Sequence, residues 1–129
     1  MQSILMPRPE LARPTAAARK RWRDARAFQA DVQRVLVPER VPFLMWLMLE
    51  TLEELQHETR DAVSQNAMAA RAGIRRQIAS NWLIVMSEDA LVDRRPHPDG
   101  RAWRVILTDL GERTLASCNA RLYAAGLTG

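Results

Sequence analysis

The residues best equipped for chemistry in this chain are arginines gathered around one turn. Arg94, Arg95, Arg101 and Arg104 flank the segment Pro96-His97-Pro98-Asp99-Gly100. Short apolar runs lie on either side: Leu91 and Val92 before the turn, and Trp103, Val105 and Leu107 after it. In the second run the apolar residues alternate with Arg104 and Ile106, which predicts a strand with one packed face and one wetter face. The stretch as a whole predicts a β-hairpin with a basic tip. A guanidinium is a planar fork of five N–H donors, matched to phosphate oxygens and to the edge of guanine. Such a tip suits a nucleic-acid backbone better than a small substrate. Arg104, on the wetter side of its strand, is expected to be solvated or paired.

A second polar set lies upstream. Ala79, Trp82, Leu83, Met86 and Ala90 recur at helical spacing and predict one buried stripe on a helix from about Arg75 to Glu88. The opposite face then carries Arg75, Arg76, Gln77, Ile78, Ser80 and Asn81. Arginine can bind guanine through two bonds, glutamine and asparagine can do the same with adenine, and an isoleucine can meet a thymine methyl. Arg75 opens this helix where a capping Ser or Asp would be usual. A cation there opposes the helix dipole, a choice easier to explain if an anion sits nearby in the working state. A third basic group, Arg13, Arg19, Lys20, Arg21, Arg23 and Arg26, crowds the first helix. It is either a solvated face or a grip on flanking DNA backbone.

Catalytic and metal chemistry find no support in the residue pattern. His57, His97 and the single Cys118 have no metal-ligand spacing. No glycine-rich phosphate loop, nucleophile elbow or catalytic carboxylate pair is evident. No catalytic residue, metal ligand or cofactor is therefore assigned, and the chain is not expected to be an enzyme.

Composition points the same way. With 129 residues, 47% hydrophobic and 26% charged, the chain is long enough for one globular domain with its own core. The net charge of +4 is carried almost wholly by arginine, Lys20 being the sole lysine. That bias fits a polyanionic partner or simply a GC-rich coding genome. Met1 to Pro9 has no apolar core and is broken by Pro7 and Pro9, so it does not read as a secretory signal. The densest apolar run, Val41 to Leu49, is far short of a bilayer span. One cysteine excludes an internal disulfide and fits a reducing cytoplasm.

The elements that must position the two polar sets follow from periodicity and caps. Residues 1–13 read as a flexible arm and 14–129 as the folded domain. Trp22, Ala25, Phe28, Val32, Val35 and Leu36 predict a helix from Ala16 to about Leu36, with Thr15 as its cap and Pro38 as its end. Val41 to about His57 predicts a second, buried helix with an acidic later half of Glu50, Glu53, Glu54 and Glu58. Ser64 caps a short helix that Gly73 stops. Two helices joined by such a glycine turn form a helix-turn-helix. After the hairpin, Thr108 caps a last helix with Asp109 and Glu112 in its first turn, and Leu115, Cys118 and Leu122 form its apolar stripe. The tryptophans Trp46, Trp82 and Trp103 are expected in the core. The fold class is mainly α with a small β-hairpin wing: a winged helix-turn-helix.

This order of elements resembles the MarR family of bacterial winged-helix regulators. The likeness rests on Asp99-x-Arg101-Ala102, followed by Leu107-Thr108-x-x-Gly111, and on Gly73-Ile74 and Leu91-Val92-Asp93-Arg94 around the recognition helix. It covers roughly Val41 to Ala116. The resemblance implies a DNA-binding, cytoplasmic transcription regulator that works as a homodimer. It implies that Arg101 enters the minor groove or clamps a phosphate, with Asp99 either orienting it or acting as a plain turn residue. Some members sense oxidants through cysteine, but the apolar stripe around Cys118 favours packing. A small-molecule effector stays open. The DNA-binding set is then Arg75, Arg76, Gln77, Ile78, Ser80, Asn81, Arg94, Arg95 and Arg101. After Gly111 there is room for one helix where family members have a long pair, so dimerisation is expected to fall mainly on the first helix. Trp22, Phe28, Val32 and Leu36 would form the interface, with Leu115 and Leu122 helping. The alternative is that this helix folds back on Phe43 to Leu49 within one chain. The rival functions are a winged-helix adaptor for protein partners and an architectural DNA-binding protein.

Overall fold

A computed structural model describes residues 12–98, 100 and 103–129. The chain divides into two compact units, one ending at Asp31 and the other running from Val32 to Gly129. Helix α1 (Ala16–Leu36) runs across that division. It starts where Thr15 Oγ1 accepts the Ala18 N–H at 3.1 Å and stops before a 3-10 turn, Val37–Glu39, that holds Pro38. In the first unit residues 19–30 are all exposed, Trp22 at 51% and Phe28 at 38%.

The second unit is built on α2 (Phe43–Thr59), whose Met48, Leu49 and Leu52 have no exposed surface. Strand β1 (Val63–Ser64) leads into α3 (Gln65–Ala72), and α4 (Arg76–Glu88) follows. Strands β2 (Val92–Pro96) and β3 (Trp103–Leu107) form the hairpin, and α5 (Asp109–Ala124) closes the unit. The sheet is antiparallel with order β1-β3-β2, Val63 facing Val105 across one pair and Arg94 facing Val105 across the other. Pro96 lies on the edge strand β2, where its missing N–H is tolerated. The two-residue β1 is too short to leave an alternating pattern in the sequence, so the sheet has one strand more than the expected hairpin.

Four of the six residues expected at a dimer interface belong to this core. Val32, Leu36, Leu115 and Leu122 are fully buried in the single chain and offer no surface to a copy. An apolar helix stripe shows that a face must be covered, but not which chain covers it. Cys118 is buried with them, as its stripe suggested. Two further expectations fail at element ends. Ala90 is exposed rather than in the stripe of α4, because it adopts a left-handed turn at φ 61°. Trp103, at the first position of β3, is 41% exposed and meets the Arg94 guanidinium instead of the core.

Polar side chains fix how the elements join. Trp46 Nε1 donates to Asn119 Oδ1, and Asn119 Nδ2 donates to Glu50 Oε2, both at 2.9 Å, tying α2 to α5. Gln56 Oε1 accepts the Leu107 N–H at 2.7 Å, holding α2 to β3. The junction of α4, the hairpin and α5 turns on two carbonyls. Thr108 Oγ1 donates to the Ala90 carbonyl and accepts the Gly111 N–H, while the Thr108 N–H donates to the Leu91 carbonyl. Gly111 passes so close to that Leu91 oxygen that a Cβ would overlap it.

Helices α3, α4 and α5 end in the same way. In each, the N–H of the residue after a left-handed position reaches back five residues: Ile74 to Ala69, Leu91 to Met86 and Leu127 to Leu122, each at 2.9 Å. The left-handed residue is Gly73 in the first case and Gly126 in the third, but Ala90 in the second. Ala90→Gly should therefore raise stability by about 1 kcal/mol by removing a Cβ from a left-handed position. Gly111→Ala should lower it by about 2 kcal/mol or more through overlap with backbone. Thermal unfolding followed by circular dichroism checks both, and opposite shifts in Tm are expected.

Candidate nucleic-acid interface

Helix α4 is held by one edge. Ala79, Leu83 and Met86 have no exposed surface, and Trp82 is partly buried beside them. The other side carries Arg75, Arg76, Gln77, Ile78 and Asn81, all exposed. The sequence placed these five together, and the structure does too. Gln77 Nε2 donates to Asn81 Oδ1 at 3.0 Å, so the two amides form one unit on the helix surface. Arg75 occupies the cap position without a side-chain cap bond, and the first turn holds no acid. The opening amide groups of α4 and two guanidinium groups thus share one end of the helix, which raises the local positive potential.

The hairpin lies beside this helix, but its arginines differ in what they do. Arg95 is exposed and pairs with Asp93 at 2.7 Å, an i,i+2 contact along β2. Arg94 does not project as a free reader. Its Nε donates to Gln65 Oε1 at 3.0 Å and its Nη2 to Ser80 Oγ at 3.3 Å. Its guanidinium also lies 4.1 Å above the Trp103 ring. Arg94 therefore connects β2 to α3, α4 and β3 at once. Partial burial pushes its pKa below the ordinary arginine value. Ser80, expected on the outward face of α4, is half-buried because it receives this bond. Asp99, Arg101 and Ala102, the tip residues of the sequence reading, lie outside the described residues.

Gln65 is the participant that the sequence did not reveal. It is buried to 7% exposure at the first position of α3, where a polar residue usually faces water. Its only signal was its place directly after the Ser64 cap, whose Oγ accepts the Ala67 N–H at 3.3 Å.

The acidic half of α2 is offset by its own partner. Arg71 on α3 meets Glu54 at 2.7 Å and Glu58 at 2.9 Å. That bond to Arg71 holds the Glu58 carboxyl below the usual carboxylate range. Glu53 shifts the other way, through burial and the nearby Glu50 and Glu112. Among the described residues no group of three His, Cys, Asp or Glu side chains is placed to hold a metal ion. No helix among them is long and apolar enough to cross a membrane.

The architecture has clear counterparts among solved structures. The transcriptional regulator MosR of M. tuberculosis, crystallised with DNA, superposes with a TM-score of 0.70 at 24% identity, over 88% of this chain and 78% of that one. A MarR-family transcriptional regulator from Rhodococcus sp. RHA1 gives 0.72 at 24% identity, over 81% and 71%. The repressor CouR of Rhodococcus jostii RHA1, bound to a 23-mer DNA duplex, gives 0.70 at 20% identity, over 84% and 73%. No family model and no curated sequence matches the chain. The winged-helix fold of MarR-family structures is thereby established for this chain.

Cys118 does not belong to the interface. Burial foremost, with the Glu39 carboxylate, pushes its thiol up to about 11, so it is protonated at neutral pH. The folded protein should therefore resist a thiol reagent such as dithionitrobenzoate at pH 7.5, and the unfolded chain should react completely. The colour released before and after adding guanidinium checks this; rapid reaction of the folded protein would contradict it.

Proposed function

We propose that this chain is a transcriptional regulator that binds double-stranded DNA, with α4 in the major groove and the β2–β3 hairpin against the adjacent backbone. The observation that carries the reading is the uncovered row Arg75, Arg76, Gln77, Ile78 and Asn81 on a helix whose opposite edge is fully buried. A helix held in this way can enter a groove without giving up core contacts. The row offers the donors and acceptors that base edges require. Arg95 and Arg101 would add backbone contacts from the wing. Two of the similar structures, MosR and CouR, contain DNA, which supports the same role here. Such a regulator acts in the bacterial cytoplasm, and its contribution is positioning and readout rather than catalysis.

A homodimer is part of this proposal, with its contacts confined to residues that remain exposed. Among the described residues of the first unit, Trp22 and Phe28 on α1 are large apolar side chains that stay accessible. Residues 19 to 30 of this helix include no buried side chain. Isolated helices of this length are marginal in water. A two-fold partner would cover the face and set two recognition helices about one DNA turn apart.

Selection of bound sequences from random duplex DNA tests the function. Enrichment of a palindrome is expected, and failure to enrich any sequence would defeat sequence-specific reading. Gln77→Ala and Asn81→Ala should each change the enriched sequence at one or two positions, since a good amide–adenine pair is worth about 1–3 kcal/mol of discrimination. An unaltered preference in both variants would remove these amides from the readout. For assembly, light scattering at micromolar concentration should give a dimer mass for the intact chain and a monomer mass for the double variant Trp22→Glu, Phe28→Glu. A monomer mass for the unaltered chain would overturn the dimer.

A further inference from the structure

Arg94 differs from Arg71, Arg95 and Arg121 in what holds it. Arg71 meets Glu54 and Glu58, Arg95 meets Asp93, and Arg121 meets Glu39 at 2.6 Å. Arg94 is held by neutral oxygens, those of Gln65 and Ser80, and by the face of Trp103. Among the described residues no carboxylate is paired with it. A guanidinium that gives up part of its water for neutral acceptors loses hydration without gaining a counter-charge. That arrangement becomes favourable when an anion arrives.

The geometry says where such an anion would sit. The bonds to Gln65 and Ser80 use the Nε–Nη2 edge of the planar group. Of the five N–H donors of an arginine, one on Nη1 and the second on Nη2 remain along the Nη1–Nη2 edge. A fork edge of this kind matches two oxygens of one phosphate. The plane is already fixed by the two bonds and by the ring 4.1 Å away, so little side-chain freedom is lost on binding. Ser80 lies on α4 and Gln65 begins α3, so the group sits where the hairpin meets the helix-turn-helix.

We propose that Arg94 is a two-edged clamp: its Nε–Nη2 edge fixes the hairpin to α3 and α4, and its Nη1–Nη2 edge takes one backbone phosphate of duplex DNA lying against α4. The assignment rests on the DNA-binding reading and goes beyond it. It makes Arg94 a positioning residue and a phosphate ligand in one, where the sequence suggested only a basic tip.

The test is salt titration of binding to a random-sequence DNA duplex, with unaltered protein, Arg94→Met and Arg94→Lys. A phosphate contact contributes about one unit to the slope of log affinity against log salt. Arg94→Met is expected to bind about ten-fold or more weakly and to lose about one unit of slope per bound protomer. Arg94→Lys, which keeps the charge over Trp103 but not the fork, is expected to bind more weakly while keeping the slope. A wild-type slope in Arg94→Met would reduce Arg94 to an internal strut and overturn the clamp. Equal loss of slope in Arg94→Lys and Arg94→Met would overturn it as well. Circular dichroism checks folding, and Arg94→Gln replaces Arg94→Met if the latter does not fold. If the unaltered protein shows no salt-dependent binding, the DNA reading itself fails, and the clamp with it. Binding by the unaltered protein with no change in Arg94→Met defeats the clamp alone.

Discussion

Everything proposed for this chain depends on α4 being held by one edge only. Ala79, Leu83 and Met86 are fully buried, while Gln77, Ile78 and Asn81 on the same helix remain exposed. Burial of two large side chains is worth several kcal/mol, enough to anchor one helix firmly. The small Ala79 lets α4 approach its neighbours closely. Behind it stands α2, joined to α5 through Trp46, Asn119 and Glu50 and to β3 through Gln56. The far end of α4 is fixed at the Ala90 and Leu91 carbonyls, which Thr108 gathers into the start of α5. The reading face is thus supported from behind at three places and touched by none of them.

Charge is distributed to the same effect. The acids of α2 are answered within the fold, Glu54 and Glu58 by Arg71. The bases at the start of α4 are not capped or countered by side chains in the first turn. A helix opened by Arg75 and Arg76 adds cations to the positive end of its own dipole, which is unfavourable for the free protein by a few tenths to about 1 kcal/mol. A bound polyanion reverses the sign of that effect. Exposed ion pairs such as Arg95–Asp93 contribute little to stability and leave the surface adaptable.

Local chemistry made much of the fold legible in the sequence. Thr15, Ser64 and Thr108 each cap a helix, and Gly73 stops one in the left-handed conformation. Pro38 marks the end of α1, and the stripe Ala79, Leu83, Met86 correctly divides α4 into two faces. The parts that were not legible depend on tertiary neighbours. The strand Val63–Ser64 exists because Val105 and Arg104 lie opposite it. Val32, Leu36, Leu115 and Leu122 had the right pattern for any apolar contact, and the chain uses them for itself. Ala90 is left-handed although nothing in an alanine announces it. Arg94 carried the signal of a basic hairpin residue, but Gln65, remote in sequence, turns it inward.

The central claim is that α4 reads the major groove, and methylation protection tests it most directly. Dimethyl sulfate attacks guanine N7 in the major groove and adenine N3 in the minor groove. On duplex DNA recovered by selection, the account predicts protection of guanine N7 positions within each half-site when the protein is bound. Binding that leaves every guanine N7 as reactive as in free DNA would contradict it.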